Sequence, residues 1–328
     1  MILEAKNRLP SAEKPRTLYL GGGTPSMLSP AHLSKLFGGL REAIDFSLLE
    51  EITLEANPAT FDAKKAALFL DLGVTRVSLG IQSFEPHVLK TLGREHSPEQ
   101  AAEAVRILRD TGMPSINIDL MFSIPGQSIG DWEKTLRHTL SLQPDHISAY
   151  NLTYEEDTEF FESLRRGEMR ASEDHDADHF HLADEILTAA GFDHYETSNY
   201  ARPRKHSSHN QGYWAGEDYF GLGPSAVSTV DGIRHKNTPD TARYTAQIAA
   251  IGNAIHESET IDPEARRLER IALGLRTKEG IPLDLLDQAG LSRAEILASE
   301  GLAKITGTSF ILIHHGRALV DPIAAELV

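Results

Sequence analysis

The chain contains no cysteine. Disulfides, thiolate metal sites and cysteine nucleophiles are therefore excluded for these 328 residues. No apolar run approaches the roughly 18 residues of a membrane span, and no signal-peptide pattern opens the chain, so cytoplasm is the expected compartment. Positive charge is scarce: 32 Lys+Arg against 48 Asp+Glu leave a net charge of −16. A broad nucleic-acid interface needs a basic face, and none is expected here. Low-complexity tracts are missing, as is any long repeat beyond a strand–helix unit. The rest is ordinary for a globular protein, with 40% hydrophobic and 24% charged residues, and the length suits one large domain and a smaller one.

Strand and helix signals alternate through the first half. Apolar, β-branched runs predict strands at Thr17–Leu20, Glu51–Ala56, Arg76–Ile81, Ile116–Phe122 and His146–Leu152. Helical patterns lie between them. One opens at Ser29-Pro30 and runs through Leu40, the next covers Thr60–Leu72, a third begins with the capping box Ser97–Gln100, and a fourth follows Ser128 and Asp131. Met1–Lys6 reads as part of a further helix. This alternation predicts an α/β fold with a parallel sheet. Residues 155–175 are strongly charged and read as an exposed excursion. A helix is expected from about His175 to Ala190, an irregular aromatic-rich region from Tyr195 to Ser228, and helices over 240–256 and 262–276. The final part, with a capping box at Ser292–Glu295 and a strand-like run at Phe310–Ile313, reads as a small winged-helix-like packing module. It carries 8 basic against 10 acidic residues, which argues against a DNA reader.

Ligands of parallel α/β folds sit at the carboxyl ends of the strands. Those ends carry Gly21–Thr24, Glu55, Gln82, Asp119 and Thr153. The triple glycine between a strand and a helix frees the backbone for close approach by a ligand. One acid late in a strand is commonly a cap or edge residue, but five polar or glycine ends in a row describe a concave site. Arg94 stands in a loop that can reach over it. The set suits a zwitterion with extra positive charge and a ribose, the arginine facing a carboxylate.

The segments Tyr-Leu-Gly-Gly-Gly-Thr-Pro-Ser, Leu-Glu-Ala-Asn-Pro, Ser-Leu-Gly-Ile-Gln-Ser-Phe, Leu-Gly-Arg-Glu-His and Asn-Ile-Asp-Leu-Met occur in order. Together they resemble the radical S-adenosylmethionine (SAM) proteins of the oxygen-independent coproporphyrinogen III oxidase family, over nearly the whole chain. The resemblance implies a partial parallel (β/α) barrel binding SAM at its strand ends, with Gly22, Gly23 and Thr24 on the methionyl part. Glu55, Gln82, Arg94 and Asp119 would complete the pocket, and Thr153 and Val227 would lie near the adenosyl group. It divides the chain into a barrel over 1–155, an excursion and heme or substrate region over 156–258, and a small C-terminal domain over 259–328.

The family has two branches, the oxidase of porphyrin biosynthesis and a chaperone that delivers heme to acceptor hemoproteins. His209-Asn210-Gln211-Gly212-Tyr213-Trp214 matches the HNxxYW motif of the chaperone branch. A histidine can ligate heme iron, and flanking Tyr and Trp can pack a porphyrin face. His209, Asn210, Tyr213 and Trp214 are thus the candidate heme residues. The branch also implies peripheral contact with membrane-associated respiratory components. The oxidase itself and a SAM-binding protein without heme are the competing readings. His175 and His179 stand four apart, a spacing that can bind zinc, but with Asp174, Asp176, Asp178 and Asp184 they read as a solvated acidic face. Arg202–His206 is a local basic patch, suited either to heme propionates or to an ordinary solvated loop. His314-His315 read as a strand end.

One family element has no counterpart. The family holds a [4Fe–4S] cluster on a Cys-x3-Cys-x2-Cys loop after its first strand, and the open iron binds SAM. Here 20 residues precede Gly21 and none is Cys. The first strand and the cluster loop are expected to be missing, with truncation of a longer protein favoured over a cluster-less variant. No reductive SAM cleavage is expected of these 328 residues, which leaves enzymatic activity uncertain. Production of 5′-deoxyadenosine by the purified chain with a reductant would refute that.

Overall fold

The structure is a computed structural model describing residues 1–9, 14–153 and 173–328, with the backbone alone for Glu173 and Asp174. Five strands, β1 (Thr17–Leu20), β2 (Glu51–Ala56), β3 (Arg76–Gln82), β4 (Ser115–Phe122) and β5 (His146–Asn151), lie parallel and adjacent in chain order. Helices connect them: α2 (Pro30–Arg41), α3 (Ala63–Asp71), α4 (Pro86–Thr91), α5 (Pro98–Asp110) and α6 (Ile129–Ser141). The helix α1 (Ile2–Arg8) precedes β1 and packs on α2. Its buried Glu4 accepts from Gly223 N–H at 3.0 Å, Asn237 Nδ2 at 2.7 Å and the Tyr244 hydroxyl at 2.5 Å. The capping boxes at Ser97 and Ser128 form as the sequence predicts.

Residues alternate across the sheet because successive side chains on a strand point to opposite faces. Leu54, Val77, Leu79, Ile81, Ile116, Ile118, Leu120 and Ile147 face the connecting helices and build the main core with Phe37, Phe69, Leu108 and Trp132. The opposite face carries Thr53, Glu55, Ser78, Gln82, Asn117, Asp119, His146 and Ser148. Parallel strands usually read as continuous apolar runs because both faces are covered by apolar packing. Here the inner face is polar, and its polar groups converge at the carboxyl ends.

Beyond β5 the sheet continues with a pair that the sequence did not announce. The helix α7 (Glu173–Ala189) is followed by β6 (Asp193–Glu196) and β7 (Asn199–Ala201), and β7 pairs antiparallel with β5. The seven-stranded order is β1-β2-β3-β4-β5-β7-β6. The region expected to be irregular thus holds two strands and α8 (Ser208–Trp214), set by pairing with distant residues rather than by local pattern. The charged excursion expected at 155–175 falls almost wholly on 154–172, outside the described residues. A second sheet, β8 (Val227–Val230), β9 (Ile233–Asn237) and β10 (Ile255–Thr260), is antiparallel. The helix expected over 240–256 is shorter: α9 spans Thr241–Ile251 and stops at Gly252, whose φ of +77° is left-handed, and β10 follows.

The C-terminal part has its own core, in which Ile271, Leu275, Ile281, Leu297, Phe310 and Leu312 meet. It contains α10 (Pro263–Gly274), β11 (Ile281–Pro282), α11 (Gln288–Ser299), the hairpin β12 (Ala303–Thr306) and β13 (Ser309–Leu312), and the short helices α12 (His315–Ala318) and α13 (Val320–Glu326). Ser292 does not cap α11. Its hydroxyl donates back to the Gln288 carbonyl at 3.0 Å inside the helix, and Asp287 is the cap, accepting from Gly290 N–H at 2.8 Å. The module docks on the sheet through Thr197 N–H to the Arg276 carbonyl at 2.8 Å and Arg317 Nη1 against His194 Nδ1 at 3.0 Å.

Candidate functional site

The carboxyl ends of the five parallel strands enclose a cavity of about 360 Å³ lined by Tyr19, Gly23, Thr24, Glu55, Asn57, Ser78, Gly80, Gln82, Arg94, Asp119 and Tyr150. Six of the residues predicted for a SAM pocket, namely Gly23, Thr24, Glu55, Gln82, Arg94 and Asp119, meet around this one space. Gly22 belongs to the same loop, and its N–H donates to Glu55. Its φ of +79° is open to glycine at little cost. Gly21 is needed for a different reason. A Cβ there would stand 2.7 Å from Glu55 Oε1 and 2.6 Å from the Tyr19 ring. Thr153 is exposed two residues beyond β5, and Val227 lies on β8 in the wall of a second cavity.

The electrostatics follow from burial. Tyr19 donates its hydroxyl to Glu55 Oε1 at 2.7 Å. Desolvation pushes the Glu55 carboxyl above its usual range, opposed by that bond. Asp119 is also raised by desolvation. Against this, Ser78 donates to Asp119 Oδ2 at 3.0 Å and Asn117 Nδ2 to Oδ1 at 2.7 Å. Arg94 lines the same cavity, and its guanidinium feels the Asp119 charge. Gln82 sits at a φ of +70°, where the β3–β4 register shifts, and its buried Oε1 has no hydrogen-bond partner among the described residues. A non-glycine residue in that conformation beside an orphaned acceptor is a mark of a site shaped for a ligand.

Sequence reading missed Tyr19, Ser78 and Tyr150. The signal was available: Ser78, Gly80 and Gln82 alternate on one face of β3, and Tyr19 and Gly21 do so on β1.

Beneath the cavity the polar face continues as a chain. Asn117 Oδ1 contacts His146 Nδ1 at 2.6 Å, and His146 Nε2 contacts the Tyr195 hydroxyl at 2.7 Å, which accepts from Ser207 N–H at 3.3 Å. Burial holds the His146 imidazole well below its usual range, so it is neutral. This chain ends at the N-cap of α8.

The helix α8 carries all four candidate heme residues. Buried Glu51 grips its first turn, accepting from Ser208 N–H at 2.9 Å, His209 N–H at 3.3 Å and the Ser207 hydroxyl at 3.1 Å. A carboxylate suits a helix N-terminus, where unpaired N–H groups and the dipole meet. His209 lies against β1. Its ring stacks on Tyr19 with centroids 4.7 Å apart, and Nδ1 is 3.0 Å from Thr17 Oγ1. Desolvation lowers its pKa and favours the neutral ring. Nε2 has no hydrogen-bond partner among the described residues. Asn210 N–H is capped by Ser207 Oγ. Tyr213 and Trp214 diverge, with ring planes at 84°. Trp214 faces the Arg276 guanidinium and bonds Glu196, whereas Tyr213 is half exposed beside Tyr219.

The other histidines do not gather. Among the described residues, no group of three or more His, Asp or Glu is placed to hold a metal. His179 is fully buried, contrary to a solvated acidic face, and its Nδ1 contacts the His175 carbonyl at 2.8 Å. His315 opens α12 rather than ending a strand and contacts His181 at 2.8 Å. The basic patch is mostly committed. Arg202 bonds the Ala190 carbonyl and covers the Phe192 ring, Lys205 reaches the Pro114 carbonyl, and the His206 ring stacks on Tyr195.

Fold and cavity together define a radical-SAM-type half-barrel. The sequence profile described as the Radical SAM superfamily matches residues 2–139. Coproporphyrinogen III oxidase (HemN) from Escherichia coli shares the fold, with a TM-score of 0.84 and 23% identity over 99% of this chain and 81% of that one. Among curated proteins, heme chaperone HemW of Lactococcus lactis is 36% identical over 89% of this chain and 77% of its own length. HemW of Mycobacterium tuberculosis is 36% identical over 95% and 80%, and that of Bacillus subtilis 31% over 94% and 84%. The chain belongs to the HemW family.

Proposed function

We propose that this chain is a heme chaperone, holding heme and passing it to acceptor hemoproteins in the cytoplasm or at the inner face of a membrane. The relatives named as heme chaperones support this reading. The observation that carries it is His209. The Nδ1–Thr17 Oγ1 hydrogen bond of 3.0 Å fixes the ring orientation, burial favours the neutral ring, and Nε2 has no hydrogen-bond partner among the described residues. A histidine held in this way, its second nitrogen bonded to an oxygen, is suited to be a metal ligand. Among the described residues no helix is long and apolar enough to cross a membrane, so contact with membrane-bound acceptors would be peripheral.

The strand-end cavity suits SAM as an accessory ligand. The unpartnered Gln82 Oε1, the open backbone at Gly22 and Gly23, and the Arg94 guanidinium offer an acceptor, close approach and a carboxylate partner. A [4Fe–4S] cluster does not fit these 328 residues, because they offer no thiolate. No step through a cluster is derived.

The test is heme transfer. The chain loaded with one equivalent of heme is mixed with an apo-hemoprotein, and the Soret band is followed. The expected result is a saturable Soret shift on loading, movement of heme to the acceptor, and weaker loading in His209→Ala. No shift at stoichiometric heme overturns the reading.

A further inference from the structure

The second cavity, of about 430 Å³, lies among α8, the β8–β9 hairpin and α10, and none of the residues around the first cavity line it. Its apolar and aromatic walls are Tyr213, Tyr219, Val227 and Leu273. Its charges differ in kind from one another. Arg234 is consumed by Glu269 through bonds of 2.8 and 3.0 Å. Glu217 faces Arg16 at 3.5 Å, and Asp218 accepts the Asp231 N–H at 2.9 Å. The guanidiniums of Arg266 and Arg270 have no hydrogen-bond or ion-pair partner among the described residues, although the chain carries a net charge of −16. Both guanidiniums rest against glycines at the groove. A Cβ at Gly216 would stand 3.1 Å from Arg270 Nη1, and one at Gly232 would stand 3.9 Å from Arg266 Nη1.

Unpaired arginines in so acidic a protein are a site in search of an anion, since guanidinium groups bind carboxylates bidentately and strongly. Arg266 and Arg270 stand four residues apart on α10 and so project from one face, with Cβ atoms roughly 5–6 Å apart. Two cations at that spacing, beside two phenol rings and aliphatic walls, match a flat apolar molecule with two carboxylates on one edge.

We infer that this groove is the propionate seat of the heme carried by the chain, with Arg266 and Arg270 each taking one carboxylate and Tyr213 flanking the porphyrin. The assignment rests on the heme reading above. It also gives Tyr213 a role that does not require Trp214, whose ring turns to Glu196 and Arg276.

The test compares heme with its dimethyl ester, which keeps the iron and ring but lacks the carboxylates. Both are titrated into the wild-type chain and into the double variant Arg266→Gln, Arg270→Gln, with the Soret band as readout and circular dichroism as the check on folding. The wild type is expected to bind heme at least about tenfold more tightly than the ester. The double variant should lose that preference while binding the ester as the wild type does. Unchanged heme affinity in the double variant overturns the seat, as does an equal loss for heme and ester. Failure of the wild type to bind heme at all is a different result, which overturns the heme reading and the seat with it.

Discussion

The two cavities are built on opposite principles. The strand-end cavity is made by the regular sheet: alternate residues of parallel strands place two carboxylates and an amide around open glycine backbone, and Arg94 reaches in from the loop between α4 and α5. The groove is made by packing of short elements and is lined by two tyrosines and by two arginines whose guanidiniums have no partner among the described residues. The first suits a ligand with positive charge and the second a ligand with negative charge. The helix α8 joins them. His209 in its first turn stacks on Tyr19 of the first cavity, and Tyr213, one turn later, lines the groove. Two ligands of unlike charge can thus be held close together without sharing a residue.

The connection is broken most severely at Glu51. Glu51→Ala leaves the N–H groups of Ser208 and His209 and the Ser207 hydroxyl without their buried acceptor. A loss of about 4 kcal/mol in urea unfolding is expected, from roughly 1–3 kcal/mol per orphaned group. In the population that stays folded, heme binding should weaken more than SAM binding.

Glu196 grips the other end of α8 through Trp214, and burial raises its carboxyl to about 7. Below the ordinary carboxylate value both folded and unfolded chains carry the proton, and the full stability is present. As pH rises from 4.5 towards about 7 the unfolded chain ionises first, so stability falls, by roughly 3 kcal/mol in all. Glu196→Gln should flatten that slope. In a Trp132→Phe background, Trp214 fluorescence should titrate near neutral pH and lose the transition in Glu196→Gln.

Gly21→Val separates the cavities. Its side chain would collide with Glu55 and Tyr19, so calorimetry should find SAM affinity reduced about a hundredfold, with a smaller loss of heme affinity by Soret titration because Tyr19 also carries the His209 ring. A hundredfold change corresponds to about 2.7 kcal/mol. The smallest effect is expected at Arg204, the exposed member of the committed basic patch. Arg204→Ser should change heme affinity by less than about twofold, in contrast to the arginines of the groove.

How much of this was legible follows from what each residue answers to. Thr17–Leu20 and Glu51–Ala56 form strands with the bounds the sequence predicts, because their local pattern and their place in the sheet agree. The strand ends were legible for the same reason. Reading the ends alone passed over Tyr19, Ser78 and Tyr150, which alternation along each strand puts on the same face. The antiparallel pair β6–β7 and the helix α8 were hidden, since elements of three to seven residues take their form from distant partners such as Glu51 and β5. The groove was invisible. Arg266 and Arg270 look like two charges of an ordinary amphipathic helix until the pairing of every neighbouring charge is known.

The central claim is that the chain holds heme and a SAM-like ligand in separate places. It is tested most directly by titrating heme, at the Soret band, into the chain saturated with SAM. The account predicts one heme per chain at the same stoichiometry as without SAM. Displacement of one ligand by the other, with heme binding lost as SAM saturates, would contradict it.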